Sequence, residues 1–219
     1  MKLKSMSGKS RKYTSLIEPI QLHFVTWALP LIPKKIETYH LTLLTIPLSL
    51  ILVIGAKIFV GNPWFLVFHA FIIFTQYISD ILDGALGRYR NTGLIRWGFY
   101  MDHLFDYVFA NAIVLSYSIY FQINVELTAI IIAVIGAFFS QEFIIGNIKG
   151  MINTSGYYGL GPSEVRFGVI FLDLILAFSK YIPSEQTLTV VVALIIITFS
   201  ATSWVTQKSL WKQDMKSKN

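Results

Sequence analysis

Six long apolar runs, separated by shorter polar stretches, dominate the pattern of hydrophobic and polar positions along the chain. Five of them are close to free of charge and approach the roughly 20 residues that a helix needs to cross a hydrocarbon core. The third is long enough only if its helix begins near Gly98, and the fifth is short and contains Asp173. The pattern predicts an all-α, polytopic membrane protein with six transmembrane helices. The predicted spans are His40–Val60, Pro63–Ser79, Tyr107–Phe121, Leu127–Ile148, Phe167–Tyr181 and Leu188–Thr206.

The segment before the first span predicts a helix that lies in the headgroup plane of the membrane. Leu16, Ile20, Phe24 and Trp27 recur at helical spacing, which is typical of an interfacial amphipathic helix. A loosely ordered arm is the alternative. The interruption at Glu18 and the lack of a small-residue cleavage site argue against a signal peptide. The predicted organisation is a basic arm with an interfacial helix at 1–34, a six-helix domain at 35–208 and a basic cytoplasmic tail at 209–219.

The amino-acid composition supports a membrane protein. Hydrophobic residues make up 54% of the 219 residues and charged residues only 14%, whereas soluble domains carry about 25% charged residues. The chain has no cysteine, which excludes disulfide bonds and thiolate metal sites.

The distribution of basic residues predicts the orientation in the membrane. Sixteen of the 18 Lys and Arg residues lie in the N-terminal arm, the second and fourth loops and the C-terminal tail, and only Lys57 and Lys180 fall near the opposite face. Because cytoplasmic loops carry an excess of Lys and Arg, both termini and the loop between the second and third spans are predicted to be cytoplasmic. The same distribution argues against nucleic acid as the partner of the net charge of +6, and the basic C-terminal tail is predicted to be solvated and to contact anionic lipid.

Four aspartates stand at the predicted cytoplasmic ends of the second and third spans. Asp80 and Asp83 are three residues apart, and Asp102 and Asp106 are four apart, so each pair shares one face of a helix. The short connection predicts that the two helices lie side by side and that the four carboxylates converge. Such a cluster is costly without compensation, and its oxygen atoms suit Mg²⁺, Mn²⁺ or Ca²⁺. The alternative is a salt bridge from each aspartate to a basic residue of the loop, Arg88, Arg90 or Arg96.

Glycines and an arginine accompany the aspartates. Gly84 and Gly87 follow the first pair, and Gly98 lies one helical turn before Asp102. Positions without a side chain let a bulky ligand approach the backbone closely, and Arg88 offers a planar set of donors that suits a phosphate. Together with a divalent metal, these features predict chemistry on a phosphate ester.

The stretch DILDGALGRYRNTGLIRWGFYMDHLFD resembles the signature of the CDP-alcohol phosphotransferase family, which reads D-x-x-D-G-x-x-A-R, a spacer, and then G-x-x-x-D-x-x-x-D. Gly87 stands where the family usually has Ala. The spacer between Arg88 and Gly98 has nine residues, slightly more than the commonest form. Neither departure changes a type of ligand. The residues that match the signature are Asp80, Asp83, Gly84, Arg88, Gly98, Asp102 and Asp106.

The resemblance implies a six-helix membrane enzyme, usually a homodimer, whose site lies in a polar cavity open to the cytoplasm. It also implies a site for two divalent ions, Mg²⁺ or Mn²⁺, with Asp106 as the favoured general base. The implied metal ligands are Asp80, Asp83, Asp102 and Asp106, and the implied CDP contacts are Asp80, Asp83, Gly84, Gly87, Arg88 and Gly98.

The reaction that the resemblance implies moves a substituted phosphate group from a CDP-linked donor to a hydroxyl acceptor and releases CMP, forming a phospholipid. MDHLFD resembles the D-H-x-x-D form of the choline and ethanolamine phosphotransferases, and GLGPSE resembles a G-P-x-E element of the same branch. This branch uses a CDP-aminoalcohol donor and a diacylglycerol acceptor. His103, in the first element, is a second candidate for the base.

The alternative within the family is a CDP-diacylglycerol donor with a polar alcohol acceptor such as inositol, serine or glycerol phosphate. An anionic acceptor would need a basic pocket, for which the fourth loop offers only Lys149 and Arg166. Two other classes are a divalent-cation transporter, which places its ligands near the bilayer midplane on broken helices, and a membrane scaffold, which leaves the aspartates unexplained.

Further polar residues lie near the predicted membrane surface. Asp173 is expected to face a partner helix or a subunit interface. Candidates for the substrate cavity are Glu142, Ser163 and Glu164, whereas no chemistry is assigned to His23, His40 and His69.

Overall fold

The computed structural model of the protein describes residues 17–148, 162–179 and 183–216. Within these ranges the chain is helical and contains no strand, which confirms the all-α prediction. A short 3-10 helix, Leu29–Leu31, follows the first α-helix. The α-helices are α1 (Glu18–Ala28), α2 (Thr38–Leu43), α3 (Thr45–Ile58), α4 (Trp64–Arg90), α5 (Ile95–Tyr120), α6 (Val125–Ile148), α7 (Pro162–Ser179) and α8 (Glu185–Lys216).

Four helical stretches of the described residues are long and apolar enough to cross a membrane, which indicates a membrane protein. The other two predicted spans fall in α5 and α7, which carry charged residues within the helix: Arg96, Asp102 and Asp106 in α5, and Glu164, Arg166 and Asp173 in α7. Six spans therefore remain a prediction. The four stretches match the first, second, fourth and sixth predicted spans and are Thr38–Ile58, Trp64–Arg90, Val125–Ile145 and Glu185–Met215.

Helix α4 is longer than its apolar run predicted, because it continues past Ser79 to Arg90. Polar residues do not break a helix by themselves, and α4 ends only where Asn91 adopts a left-handed conformation (φ 53°). Gly93 (φ 74°) follows, and α5 begins at Ile95, early enough to give the third predicted span its full length. Residues 91–94 alone join the two helices, so their polar halves are neighbours.

Helix α4 forms the centre of the bundle. Near its N-terminal end, Phe65 and Leu66 pack with Ala56 of α3 and with Leu176 and Ala177 of α7. At mid-helix, α4 packs on α3 and α5, and the core residues there are Leu48, Leu52, Ile72, Ile73 and Phe109. At its C-terminal half, α4 packs on α1 and the 3-10 helix, and the core residues there are Val25, Ala28, Leu29, Leu82, Ala85 and Leu86.

Helices α6 and α8 lie at the periphery. In the apolar window of α4, 56% of the residues are buried, against none in α6 and 6% in α8. α6 packs on α5 and α8, and neither α6 nor α8 is a principal neighbour of α4. Their apolar outer faces are therefore available to lipid or to another protein.

The helix predicted near the N-terminus is present as α1. Glu18 and Pro19 begin it, a sequence that suits a first turn because proline needs no amide partner there. Val25 and Ala28 pack on α4, whereas Ile20 and Trp27 are exposed. This pattern is compatible with a helix on the membrane surface, and its interfacial position remains a prediction. Leu16 lies outside the described residues.

Polar contacts attach the end of α4 to the segment before α2. Arg90 donates to the backbone carbonyls of Ile32 and Pro33, at 2.9 and 3.1 Å, and to that of Ile36. His40, to which the sequence assigned no chemistry, accepts the backbone N–H of Glu37 at 2.9 Å and so caps α2. These contacts fix α2 beside the polar half of α4.

Candidate metal centre

Three of the four aspartates converge between α4 and α5. Asp80, Asp102 and Asp106 each place one carboxylate oxygen within 4.8 Å of the other two. All three side chains are partly buried. Their helical spacing and the short connection at 91–94 account for this arrangement, as the sequence predicted. Three hard oxygen donors at this separation can hold a divalent ion such as Mg²⁺ or Mn²⁺.

Asp83 is not a member of this group of three. It is 7% exposed, and its Oδ2 atom accepts a hydrogen bond from the hydroxyl of Thr42, at 2.7 Å. The carboxylate therefore links α4 to α2. Its role as a metal ligand or a CDP contact stays a prediction that rests on the family signature.

Arg166 lies at the centre of the cluster, although its position in the sequence indicated only a basic loop residue. Its Nη1 atom is 2.5 Å from Oδ2 of Asp80, and its Nη2 atom donates to Oδ1 of Asp106. The guanidinium, 14% exposed, thus bridges carboxylates on two helices from a third. These pairs span 86 and 60 residues of sequence, and no local pattern reveals a contact at that distance.

The three arginines of the second loop do not form the salt bridges that the alternative interpretation of the aspartates predicts. Among the described residues, no ion pair joins Arg88, Arg90 or Arg96 to an aspartate. Arg90 binds backbone carbonyls instead, Arg96 is exposed, and Arg88 lies along its own helix with its Nη1 atom near Gly84. Arg88 is thus exposed on the polar half of α4.

The three glycines of the motif have different surroundings. A Cβ atom at Gly98 would meet nothing within 4 Å, and one at Gly84 would lie 3.4 Å from Nη1 of Arg88. A Cβ atom at Gly87 would lie 3.5 Å from Thr38 and Thr92, an ordinary van der Waals distance. Open space for a ligand therefore adjoins Gly98, while Gly87 sits in a helix contact that has room for the alanine of the family signature.

His103 carries a defined tautomer. Its Nδ1 atom is 2.9 Å from the carbonyl oxygen of Phe99 and therefore carries the hydrogen that it donates, which leaves the lone pair on Nε2. The same Nδ1 atom is 3.8 Å from Oδ2 of Asp102. The imidazole thus lies at the edge of the cluster, beside the carboxylate of Asp102.

The candidates for the substrate cavity are spread over two helices. Ser163 and Glu164 lie in the first turn of α7, within one turn of Arg166, and are partly buried. Glu142 is exposed on α6. Ser163 and Glu164 are thus close in sequence to the cluster, whereas Glu142 lies on a peripheral helix, and contact of any of them with substrate stays a prediction.

A second buried polar group, which we call the His69–Asp173 network, was not foreseen. Asp173 accepts from His69 Nδ1, at 2.7 Å, and from the hydroxyl of Tyr117, at 2.5 Å. His69 Nε2 lies 2.8 Å from the hydroxyl of Ser116. His69, Asp173 and Ser116 are all 0% exposed. Asp173 thus faces partner helices, α4 and α5, within the chain.

No protein-family model, no curated protein and no solved structure matches this chain. The likeness to the CDP-alcohol phosphotransferases therefore rests on the signature residues quoted above. The geometry adds the convergence of three of their aspartates.

Proposed function

We propose that the chain is a divalent-metal-dependent CDP-alcohol phosphotransferase of the membrane. The observation that carries the proposal is the group of oxygen atoms from Asp80, Asp102 and Asp106, which lie within 4.8 Å of one another. Three carboxylates next to a hydrophobic bundle repel one another unless cations compensate them. The oxygen-only donor set and the lack of cysteine favour Mg²⁺ or Mn²⁺.

A divalent ion held by these carboxylates would neutralise the diphosphate of a CDP-linked donor and stabilise CMP as the leaving group. The protein itself supplies the space and the donors around the diphosphate. The open surface at Gly98 admits a bulky group close to the backbone of α5. Arg88, exposed on α4, provides donors for a phosphate oxygen.

The reaction forms a bond between the acceptor oxygen and the β-phosphorus and breaks the bond between that phosphorus and the CMP oxygen. The acceptor hydroxyl loses its proton to a base within hydrogen-bond reach. Asp106 has two carboxylate oxygens, so one could hold the ion while the other takes the proton. His103 has its Nε2 lone pair as the alternative.

The preferred substrates are a CDP-aminoalcohol and diacylglycerol, since the D-H-x-x-D form includes His103. One observation favours the alternative of a CDP-diacylglycerol donor with a polar alcohol acceptor. Arg166 points into the site, so a cation is available for an anionic acceptor such as glycerol phosphate. Donor screening separates these two possibilities.

A divalent-cation transporter is the alternative from another class. Helices α4 and α5 are continuous through the aspartates, from Trp64 to Arg90 and from Ile95 to Tyr120. Transporters that carry ions through the bilayer usually hold them on broken helices near the midplane. The unbroken helices therefore favour a site for chemistry.

The proposed setting is an integral membrane protein with six spans, cytoplasmic termini and a cytoplasmic active site. The excess of Lys and Arg in the N-terminal arm, the second and fourth loops and the tail supports this orientation. α5 and α7 pack on the central helices as the remaining two spans would, and the outer faces of α6 and α8 suit lipid or a second copy in a homodimer.

Release of CMP tests the proposal. Purified protein in lipid nanodiscs is supplied with Mg²⁺ or Mn²⁺ and one donor at a time: a CDP-aminoalcohol with diacylglycerol, or CDP-diacylglycerol with inositol, serine or glycerol phosphate. We expect metal-dependent CMP release from one donor, and loss of it in Asp102→Asn. Ion flux into liposomes without CMP release from any donor would overturn the enzyme and support the transporter.

A further inference from the structure

We propose that Arg166 competes with the divalent ion for Asp80 and Asp106, and that its guanidinium, once displaced, binds a phosphate group of the substrate. The inference rests on the phosphotransferase proposed above. It assigns to a residue outside the signature two successive roles, as internal cation of the acidic cluster and then as ligand of the substrate.

Arg166 is paired with two of the three carboxylates that would hold the ion. Its two terminal nitrogens hold Oδ2 of Asp80, at 2.5 Å, and Oδ1 of Asp106. An ion bound to Asp80, Asp102 and Asp106 would lie among the same carboxylates, close to the guanidinium. Two positive charges at such a distance repel each other, and each carboxylate oxygen that holds an N–H has fewer lone pairs for a metal.

The charges indicate which of the two cations the carboxylates attract more strongly. Three carboxylates and one guanidinium leave the cluster with a net charge of about −2 when all groups are ionised. A divalent ion has twice the charge of arginine, and oxygen ligands lie about 2.0–2.1 Å from Mg²⁺, closer than the 2.5 Å of the N–O contact. The ion therefore replaces the guanidinium at the carboxylates, at the expense of the arginine ion pairs.

The His69–Asp173 network keeps α7 in place when the ion displaces the side chain of Arg166. Asp173 lies seven residues after Arg166 on α7, about 10 Å along the same face. Because Asp173 stays bound to His69 and Tyr117 in the buried interior, α7 remains docked on α4 and α5. Displacement therefore reorients the long side chain of Arg166 while its helix stays in place.

A displaced guanidinium remains next to the ion-bound site, which is where the phosphates of the donor or acceptor would lie. Its planar donors match two phosphate oxygens. The expected order of binding is therefore metal first and the phosphate-bearing substrate second. Arg166 weakens the first step and strengthens the second.

Two binding measurements on the full chain in nanodiscs test this inference without reference to turnover. The first is the affinity for Mn²⁺ alone, measured from the electron paramagnetic resonance signal of free Mn²⁺. The second is the affinity for CDP at saturating Mn²⁺. In Arg166→Gln we expect Mn²⁺ to bind at least about tenfold more tightly, since a competing charge is gone, and CDP to bind about tenfold more weakly.

Two further variants control the result. Arg96→Gln removes the same charge from an exposed position of α5 that has no described ion pair with a carboxylate, and we expect both affinities to stay within about twofold of the unaltered chain. Arg166→Lys keeps the charge and loses the planar pair of donors, so we expect weaker competition with Mn²⁺ than arginine exerts and CDP affinity below that of arginine. The lysine variant also provides the test if Arg166→Gln does not fold.

The outcomes separate this inference from the proposed function. If the unaltered chain binds no Mn²⁺, the metal-dependent enzyme is wrong and the inference falls with it. If the unaltered chain binds Mn²⁺ and the folded Arg166 variants bind it with equal or lower affinity, only the competition is refuted. Tighter Mn²⁺ binding with unchanged CDP affinity refutes the transfer of the guanidinium to phosphate.

Discussion

Replacement of Asp173 by alanine tests the His69–Asp173 network as the anchor of α7. The carboxylate accepts two hydrogen bonds, from His69 and Tyr117, in a place where Asp173 and His69 are both 0% exposed. Asp173→Ala removes both acceptors and leaves the donors of His69, which is buried, and Tyr117, which is partly buried, without this partner. Each hydrogen bond between membrane helices contributes about 0.6 kcal/mol and at most about 1.7 kcal/mol, so the expected loss of stability is about 1 to 3 kcal/mol.

Asp173→Asn is expected to destabilise the protein less than Asp173→Ala. The amide oxygen still accepts one hydrogen bond, while the amide nitrogen now faces a second donor, so we expect a loss of stability between zero and that of Asp173→Ala. Tyr117→Phe removes one donor and leaves the other bond of Asp173 in place, which predicts a loss of about 0.6 to 1.7 kcal/mol.

Stability is measured by unfolding in mixed micelles with rising SDS, monitored by tryptophan fluorescence and circular dichroism. Leu172→Ala is the matched control, because Leu172 is the neighbour of Asp173 on α7 and is 48% exposed. A double-mutant cycle with Tyr117→Phe and Asp173→Ala isolates the shared bond. Equal stability of Asp173→Ala and Leu172→Ala, or fully additive effects in the cycle, would refute the reasoning.

Four further predictions concern residues of the family signature and its surroundings, and are checked by CMP release and CDP binding in the nanodisc assay. Asp106→Asn is expected to keep much of the CDP affinity and to lose turnover by about 10²-fold or more, the contribution of a general base; full activity would remove Asp106 as the base. His103→Ala is expected to lose activity only if Nε2 is the base, and an unchanged rate identifies His103 as a bystander. Asp83→Ala is expected to abolish metal-dependent CDP binding and turnover together, and retained turnover would limit Asp83 to its bond with α2. Gly98→Ala is expected to raise KM for the CDP donor without loss of stability, because its Cβ would meet only open space, whereas Gly168→Ala on α7, equally open, should change neither quantity.

The sequence predicted the parts of the fold that depend on local pattern. Continuous apolar runs identify the helices, and the spacing of Asp102 and Asp106 places both carboxylates on one face of α5. The short segment 91–94 then brings that face towards Asp80. Three of the four aspartates converge as expected, because intervals within a helix and a short turn leave little freedom.

The parts that the sequence missed depend on contacts between distant segments. Arg166 and Asp80 are 86 residues apart, and His69 and Asp173 are 104 residues apart. The pairing of such residues follows from how α7 docks on α4, which periodicity does not reveal. Asp83 shows the same limit, since its hydrogen bond to Thr42 depends on the position of α2.

The short turn at 91–94 also has a consequence for the growing polypeptide. Ribosomes make chains from the N-terminus, so the hairpin of α4 and α5 is complete long before α7 is synthesised. During that interval the nascent hairpin brings three acidic side chains together without the guanidinium of Arg166, which pairs with two of them in the complete fold. Early capture of a divalent ion would relieve that electrostatic stress until α7 is synthesised.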